Sequence, residues 1–185
     1  MLNNLLLSPV RLSLLCFTPA LATPPNQVVT LGGTVTEIVY QLGLGEKVIG
    51  TDLSSIYPPA ATELPRVGYY RTLPLEGLIS LRPDAILASE HAGPPHVLNR
   101  LQDLGIPVKT IADQSSLESL YQRIEQIAHI FEVPEAGQQL QHHIREQIAQ
   151  IPPSRHEIKA LVLMAHSNQM QGAGQNTAPH LLLGL

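Results

Sequence analysis

The chain is poor in the residue types that carry covalent and redox chemistry. Its 185 residues include a single cysteine, Cys16, no tryptophan, and only 4% aromatic residues. One cysteine cannot close a disulfide within the chain, and one thiolate cannot build a cysteine-rich metal site. Charge is also sparse. Lysine and arginine number 11 against 15 aspartates and glutamates, a net charge of −4, and no basic stripe offers the electrostatic footprint of a nucleic-acid binder. No apolar run reaches the ~20 residues that a membrane-spanning helix requires. Phosphate loops are missing too. Gly32-Gly33 lacks the lysine of a P-loop and the third glycine of a dinucleotide fingerprint, and Gly172-Ala173-Gly174 is too short for either. Ser167 follows His166, but no acid and base order assembles around it, so the sequence carries no enzyme signature.

What is present begins with an export pattern. Arg11 precedes an apolar run over 12–21, and Ala20-Leu21-Ala22 has the small-x-small form of a cleavage site. A signal peptide is expected over 1–22, with the mature chain starting near Thr23 in the periplasm. A buried N-terminal helix is the alternative. Cys16 lies inside the signal and is preceded by Leu15, not the small residue a lipidation site requires, so the mature chain is expected to lack cysteine and to be one unit more negative without Arg11.

Beyond the signal, strand and helix patterns alternate. Val28-Val29-Thr30-Leu31 is a β-branched apolar run ending at Gly32-Gly33, and Thr34 with Glu37 three residues on has the form of a helix capping box. The helix that follows carries Val35, Ile38, Val39 and Leu42 at helical spacing and stops at Gly43. Further strands are predicted over 47–50, 84–88 and 107–111, a loop after Tyr57-Pro58-Pro59, and helices over 75–81 and 94–104. This alternation predicts a right-handed parallel α/β lobe. Two helical runs over 116–131 and 134–151 follow. The second carries Leu140, Ile144, Ile148 and Ile151 on one stripe and polar groups elsewhere, as a connector between lobes would. A strand over 159–165 then opens a new unit. The expected organisation is a signal over 1–22, an N-terminal α/β lobe over 23–113, a helical connector over 114–152 and the incomplete start of a second lobe over 153–185.

The stretch Val67-Gly68-Tyr69-Tyr70-Arg71-Thr72-Leu73 places two phenols and a guanidinium on a glycine-led turn. A phenol ionises only near pH ~10 unless its anion is held, and a permanent positive charge two residues away can hold it. Such a pair suits a ferric centre or an acidic ligand. Tyr69 and Tyr70 also fit aromatics that close the edge of a core, and Arg71 fits a solvated charge.

The order VVTLGGTVTEIVYQLG, VIGTDLSSIYPPAATELPRVGYYRTLPLEGLISLRPDAILA and LQDLGIPVKTI resembles the periplasmic substrate-binding proteins of ABC importers. It is similar to the class with two α/β lobes joined by one long helix, which serves haem, siderophores and cobalamin. The Gly-Tyr-x-Arg step, and Met164-Ala165-His166 through Gly172-Ala173-Gly174, resemble its haem-binding (hemin uptake) members. The resemblance covers nearly all of residues 27–178. It implies Tyr69 as axial ligand to ferric haem, Arg71 as support for the phenolate or partner of a propionate, Tyr70 as second-choice ligand or ring wall, and His166 as a ligand across the cleft. It implies Glu76 as the residue that docks on arginines of the membrane permease, although an early helical glutamate is also explained by the helix dipole. A strand-end histidine likewise has ordinary hydrogen-bonding uses. The implied function is that of a monomeric protein that captures haem, a transported ligand, and delivers it to an ABC permease with its ATPase for iron uptake, with an outer-membrane haem receptor upstream. A siderophore or cobalamin carrier, a non-functional remnant, and an α/β interaction module without a small ligand are the alternatives.

The remaining histidines read as surface residues. His91 and His96 have no regular ligand spacing, and adjacent His142 and His143 on one helix point apart. At the other end, Ala178-Pro179-His180 followed by Leu181-Leu182-Leu183-Gly184-Leu185 departs from the class pattern, in which a helix after the Gly-Ala-Gly loop leads into the rest of the second lobe. A truncated second lobe is the expectation.

Overall fold

The computed structural model describes residues 23–152, 159–166 and 169–185. The expected signal over 1–22, Cys16 within it, and Ser167 lie outside the described residues. Four short strands, β1 (Val28–Leu31), β2 (Val48–Thr51), β3 (Ala85–Ser89) and β4 (Val108–Ile111), form one parallel sheet in the order β2-β1-β3-β4. Every residue of β1 and of β3 is buried, which is why both read as near-continuous apolar runs. Helices α1 (Gly33–Gln41), α2 (Pro59–Thr62), α3 (Leu75–Ser80) and α4 (Pro95–Asp103) connect the strands. The single turn of α2 falls in a segment read as loop; Pro59 at its first position supplies the helical φ.

Alternation along the strands divides the core in two. Val28, Val48, Ala85 and Leu87 face one way and pack with Val35, Ile38 and Val39 of α1. Val29, Leu31, Ile86 and Ala88 face the other way, against Leu78 of α3 and Val97 and Leu101 of α4. The capping box expected from Thr34 and Glu37 does not form. Gly32 holds the N-cap position without any side-chain hydrogen bond. Its φ is 107°, and a Cβ there would stand 3.0 Å from the Ser89 Cβ. The chain therefore turns off β1 so tightly that Thr34 already lies inside the first helical turn.

Two longer helices follow: α5 (Leu117–Ile130), capped by the Ser116 hydroxyl accepting from the Ser119 N–H at 3.0 Å, and α6 (Pro134–Ala149). Ile124, Ile127 and Ala128 of α5, with Phe131 beyond it, are buried in the same core as α1. Packing thus continues across residue 113, where a boundary was expected. α6 lies directly on α5. A Cβ on Gly137 would approach the Ala128 Cβ to 2.7 Å, Gln141 Nε2 donates to the Tyr121 carbonyl at 3.0 Å, and the Arg145 guanidinium stands 4.1 Å from the Tyr121 ring centroid. Leu140 and Ile144 pack against the lobe core, whereas Ile151 past the helix end is 47% exposed.

The C-terminal part holds β5 (Leu163–His166) and β6 (Gln169–Gly172), an antiparallel pair forming its own two-stranded sheet, and α7 (Ala178–Leu183). The strand expected over 159–165 is shorter, and β6 occupies a stretch that had no strand reading. Among the described residues, no helix is long and apolar enough to cross a membrane.

Candidate functional site

In the order β2-β1-β3-β4, β1 has its sequence neighbour β2 on one side and β3 on the other. The crevice outside the carboxyl ends of such strands is where open parallel sheets place ligands. Three loops meet there: the turn at Gly32, the stretch 52–57 after β2, and the stretch 68–72.

The loop after β2 is fixed by a buried carboxylate. Asp52 is 0% exposed. Its Oδ1 accepts from the Gly32 N–H at 3.0 Å and the Ser55 hydroxyl at 2.7 Å, and its Oδ2 accepts from the Ser54 N–H at 2.8 Å and the Ser54 hydroxyl at 2.6 Å. The chain of hydroxyls continues inward, Ser55 to Thr36 at 2.7 Å and Thr36 to Thr30 at 2.7 Å. A buried carboxylate with its oxygens occupied by donors is tolerated where an unpaired one is not. Sequence reasoning missed this group. The available signal was an aspartate followed at two and three residues by serines directly after a strand, a pattern that closes Asx turns.

The tyrosine segment is led in by an edge pairing. Thr51 N–H donates to the Pro65 carbonyl at 3.0 Å and Val67 N–H to the Thr51 carbonyl at 2.9 Å, so the chain runs alongside β2 to its carboxyl end. Gly68 then turns with φ 101°, where a Cβ would press to 3.0 Å on the Pro74 ring. From there the chain crosses to the loop after β3. Gly93 N–H donates to the Tyr70 carbonyl at 2.8 Å, and Leu73 N–H donates to the Gly93 carbonyl at 3.0 Å. Residues 68–73 are therefore held at both ends, with the Thr72 N–H closing a turn on the Tyr69 carbonyl at 2.9 Å.

The structure brings Tyr69, Tyr70 and Arg71 together in an order that differs from the expected one. Arg71 Nε donates to the Tyr70 hydroxyl at 3.0 Å, and its guanidinium carbon lies 5.0 Å from the Tyr70 ring centroid. Arg71 thus partners Tyr70 directly, and Tyr69 contributes a lesser attraction to it. Tyr70 is half-buried against the core face of α3 and α4. Burial pushes its phenol above the ordinary value, the hydrogen bond and charge of Arg71 pull it down, and Tyr69 and Asp113 push it slightly up. The bond to Tyr70 also raises Arg71. Tyr69 stacks edge-on against Tyr70, with ring centroids 5.0 Å apart and planes at 73°, and remains 43% exposed. Tyr69 is therefore the more exposed of the two phenols, set against the pair made by Tyr70 and Arg71.

Beside this pair Ser89 Oγ donates to Asp113 Oδ2 at 2.7 Å, and Arg123, only 5% exposed, reaches Asp113 Oδ1 at 3.2 Å and donates from Nε to the Ala112 carbonyl at 2.6 Å. Burial lowers the Arg123 guanidinium, and the carboxylates of Asp113 and Glu90 counter it. Glu76 is exposed in the first turn of α3 and takes no part in either group among the described residues. His166 ends β5, where its main chain is in register with Gln169; its side chain lies outside the described residues. His91, His96, His142 and His143 are exposed, and no three potential metal ligands converge among the described residues.

The sequence description of the periplasmic binding proteins matches residues 28–179, and the chain belongs to that family. Among solved structures it is similar to the periplasmic heme-binding protein RhuT from Roseiflexus sp. RS-1, with a TM-score of 0.77 and 34% identity over 86% of this chain and 63% of that one. The periplasmic heme-binding protein HutB of Vibrio cholerae gives a TM-score of 0.77 at 33% identity, covering 85% of this chain and 62% of that one. By sequence it is 32% identical over 142 residues to a vitamin B12-binding protein of Vibrio cholerae, covering 75% of this chain and 51% of the relative. The chain spans about half the length of the curated relatives it matches. The α/β fold and the family expected from the sequence are thus established, and the absence of an enzyme signature accords with a family of binding proteins.

Proposed function

We propose that this chain captures haem in the periplasm and delivers it to an ABC permease driven by its ATPase. The observation that carries the reading is the exposed Tyr69 set against the Tyr70–Arg71 pair at the carboxyl ends of the sheet. Ferric iron is a hard cation, and tyrosinate is one of the axial ligands haem proteins use. The positive charge of Arg71 near both rings favours a phenolate once iron approaches, or meets a propionate. Likeness to two heme-binding structures at 33% and 34% identity supports the same ligand. In this reading His166 supplies a second contact from the β5 end, and Glu76, exposed on α3, meets arginines of the permease.

Titration of the full chain with hemin tests it. A Soret band with a tyrosinate charge-transfer band is expected, and Tyr69→Phe is expected to abolish the latter and weaken binding at least about tenfold. Identical spectra and affinity in that variant would remove Tyr69 from the site. A cobalamin carrier is the second reading, favoured by the vitamin B12-binding relative at 32% identity. Tight binding of cyanocobalamin in place of hemin would establish it.

A further inference from the structure

We propose that Leu53 and Ile56 form an apolar wall of the same crevice and pack against the face of the flat ring that Tyr69 grips. The proposal rests on the haem reading and adds the residues that select for a planar apolar ligand. Leu53 is 52% exposed and Ile56 71% exposed. Singly exposed aliphatic residues are common, but these two stand on a short loop whose backbone is fixed at every step. Asp52 accepts from Ser54 and Ser55. Ile56 N–H donates to the Ser54 carbonyl at 3.0 Å. Arg66 Nη2 donates to the carbonyls of Leu53 at 2.8 Å and Asp52 at 3.3 Å.

A loop locked in this way cannot fold its aliphatic side chains back into the core. It holds them out in advance, as ligand pockets do with their apolar linings. The position identifies the occupant. Leu53 N–H donates to the Gly68 carbonyl at 2.8 Å, so the loop adjoins the residue directly before Tyr69. Leu53 and Ile56 thus stand on the loop that borders the tyrosine segment at the carboxyl ends of the strands, where a ring held by the phenol would lie.

The full chain and its Leu53→Ser, Ile56→Ser and doubly substituted variants would be titrated with hemin and with iron-free protoporphyrin. Each single substitution is expected to weaken both ligands about tenfold, the loss that follows when a half-exposed aliphatic chain no longer becomes buried. The Soret position of bound hemin should stay constant, because the iron ligand is untouched. Leu53→Met, which keeps apolar volume, should retain affinity. Tyr69→Phe should do the reverse, altering the hemin spectrum while leaving protoporphyrin affinity within about twofold.

Unchanged affinities in the double variant overturn the wall and leave the haem reading standing. Failure of the unsubstituted chain to bind either porphyrin overturns both, unless cyanocobalamin binds and weakens about tenfold in Leu53→Ser, which keeps the wall and replaces the ligand. Normal hemin affinity with lost transfer to permease-containing vesicles assigns the patch to the permease and overturns the wall.

Discussion

β1 and β5 are both strands of four residues, with the sequences VVTL and LMAH, and they differ completely in surroundings. All four residues of β1 are buried between two neighbours and two helical layers. Leu163 and Met164 of β5 are 49% and 64% exposed, and its partner β6 is exposed throughout. Apolar composition allows a strand to become core; only coverage on both faces makes it so. A two-stranded sheet by itself is marginal in water, and a third strand or a packed helix is what stabilises it.

The largest effect that separates the two regions is a core truncation in one and its counterpart in the other. Leu87 is 0% exposed at the centre of the sheet, and Leu87→Ala is expected to destabilise the chain by about 3 kcal/mol in urea titration. Met164→Ala should cost less than about 0.5 kcal/mol. Equal losses would show that β5 is as well covered as β3 in solution and would break the comparison. Next comes the buried carboxylate. Asp52→Ala leaves the donors of Gly32, Ser54 and Ser55 without their acceptor, and a loss of about 2 kcal/mol is expected, with increased proteolysis confined to the loop after β2. An unaltered urea midpoint would mean that the loop is held by its backbone bonds alone.

The smallest effect is a pH dependence. Burial raises the Tyr70 phenol above its ordinary 10.0. The folded state then keeps its proton where the unfolded chain loses it. The stability contribution is complete below pH ~10 and declines as pH rises through the higher folded value. Tyr70→Phe should therefore make the fall in stability between about pH 9 and 11 shallower, as measured by urea midpoints. A steeper fall would indicate that Arg71 outweighs burial.

Much of the lobe was legible because its strands are covered on both faces. Runs such as 28–31 and 85–88 leave no polar face to confuse the period. The role of α5 was not legible in the same way: Ile124, Ile127 and Phe131 mark an apolar stripe, but periodicity reveals a face without naming what covers it. The tyrosine segment stands out in the sequence, yet its internal pairing does not. Which of two adjacent phenols receives the arginine depends on the turn closed between Tyr69 and Thr72 and on the anchoring of Tyr70 by Gly93, bonds between segments that no local pattern encodes. Asp52 left a local trace in the two serines that follow it, but its Gly32 donor comes from 20 residues away and leaves none. The Thr34–Glu37 box misled because a local capping pattern competes with the tight turn at Gly32 and loses.

The run 65–67 has one more consequence. By pairing with Thr51 it closes the carboxyl end of the outer edge of β2, where the N–H and C=O of that residue would otherwise be open to a passing chain. The segment that leads to Tyr69 thus also takes up the one position of β2 at which an added strand would begin to pair.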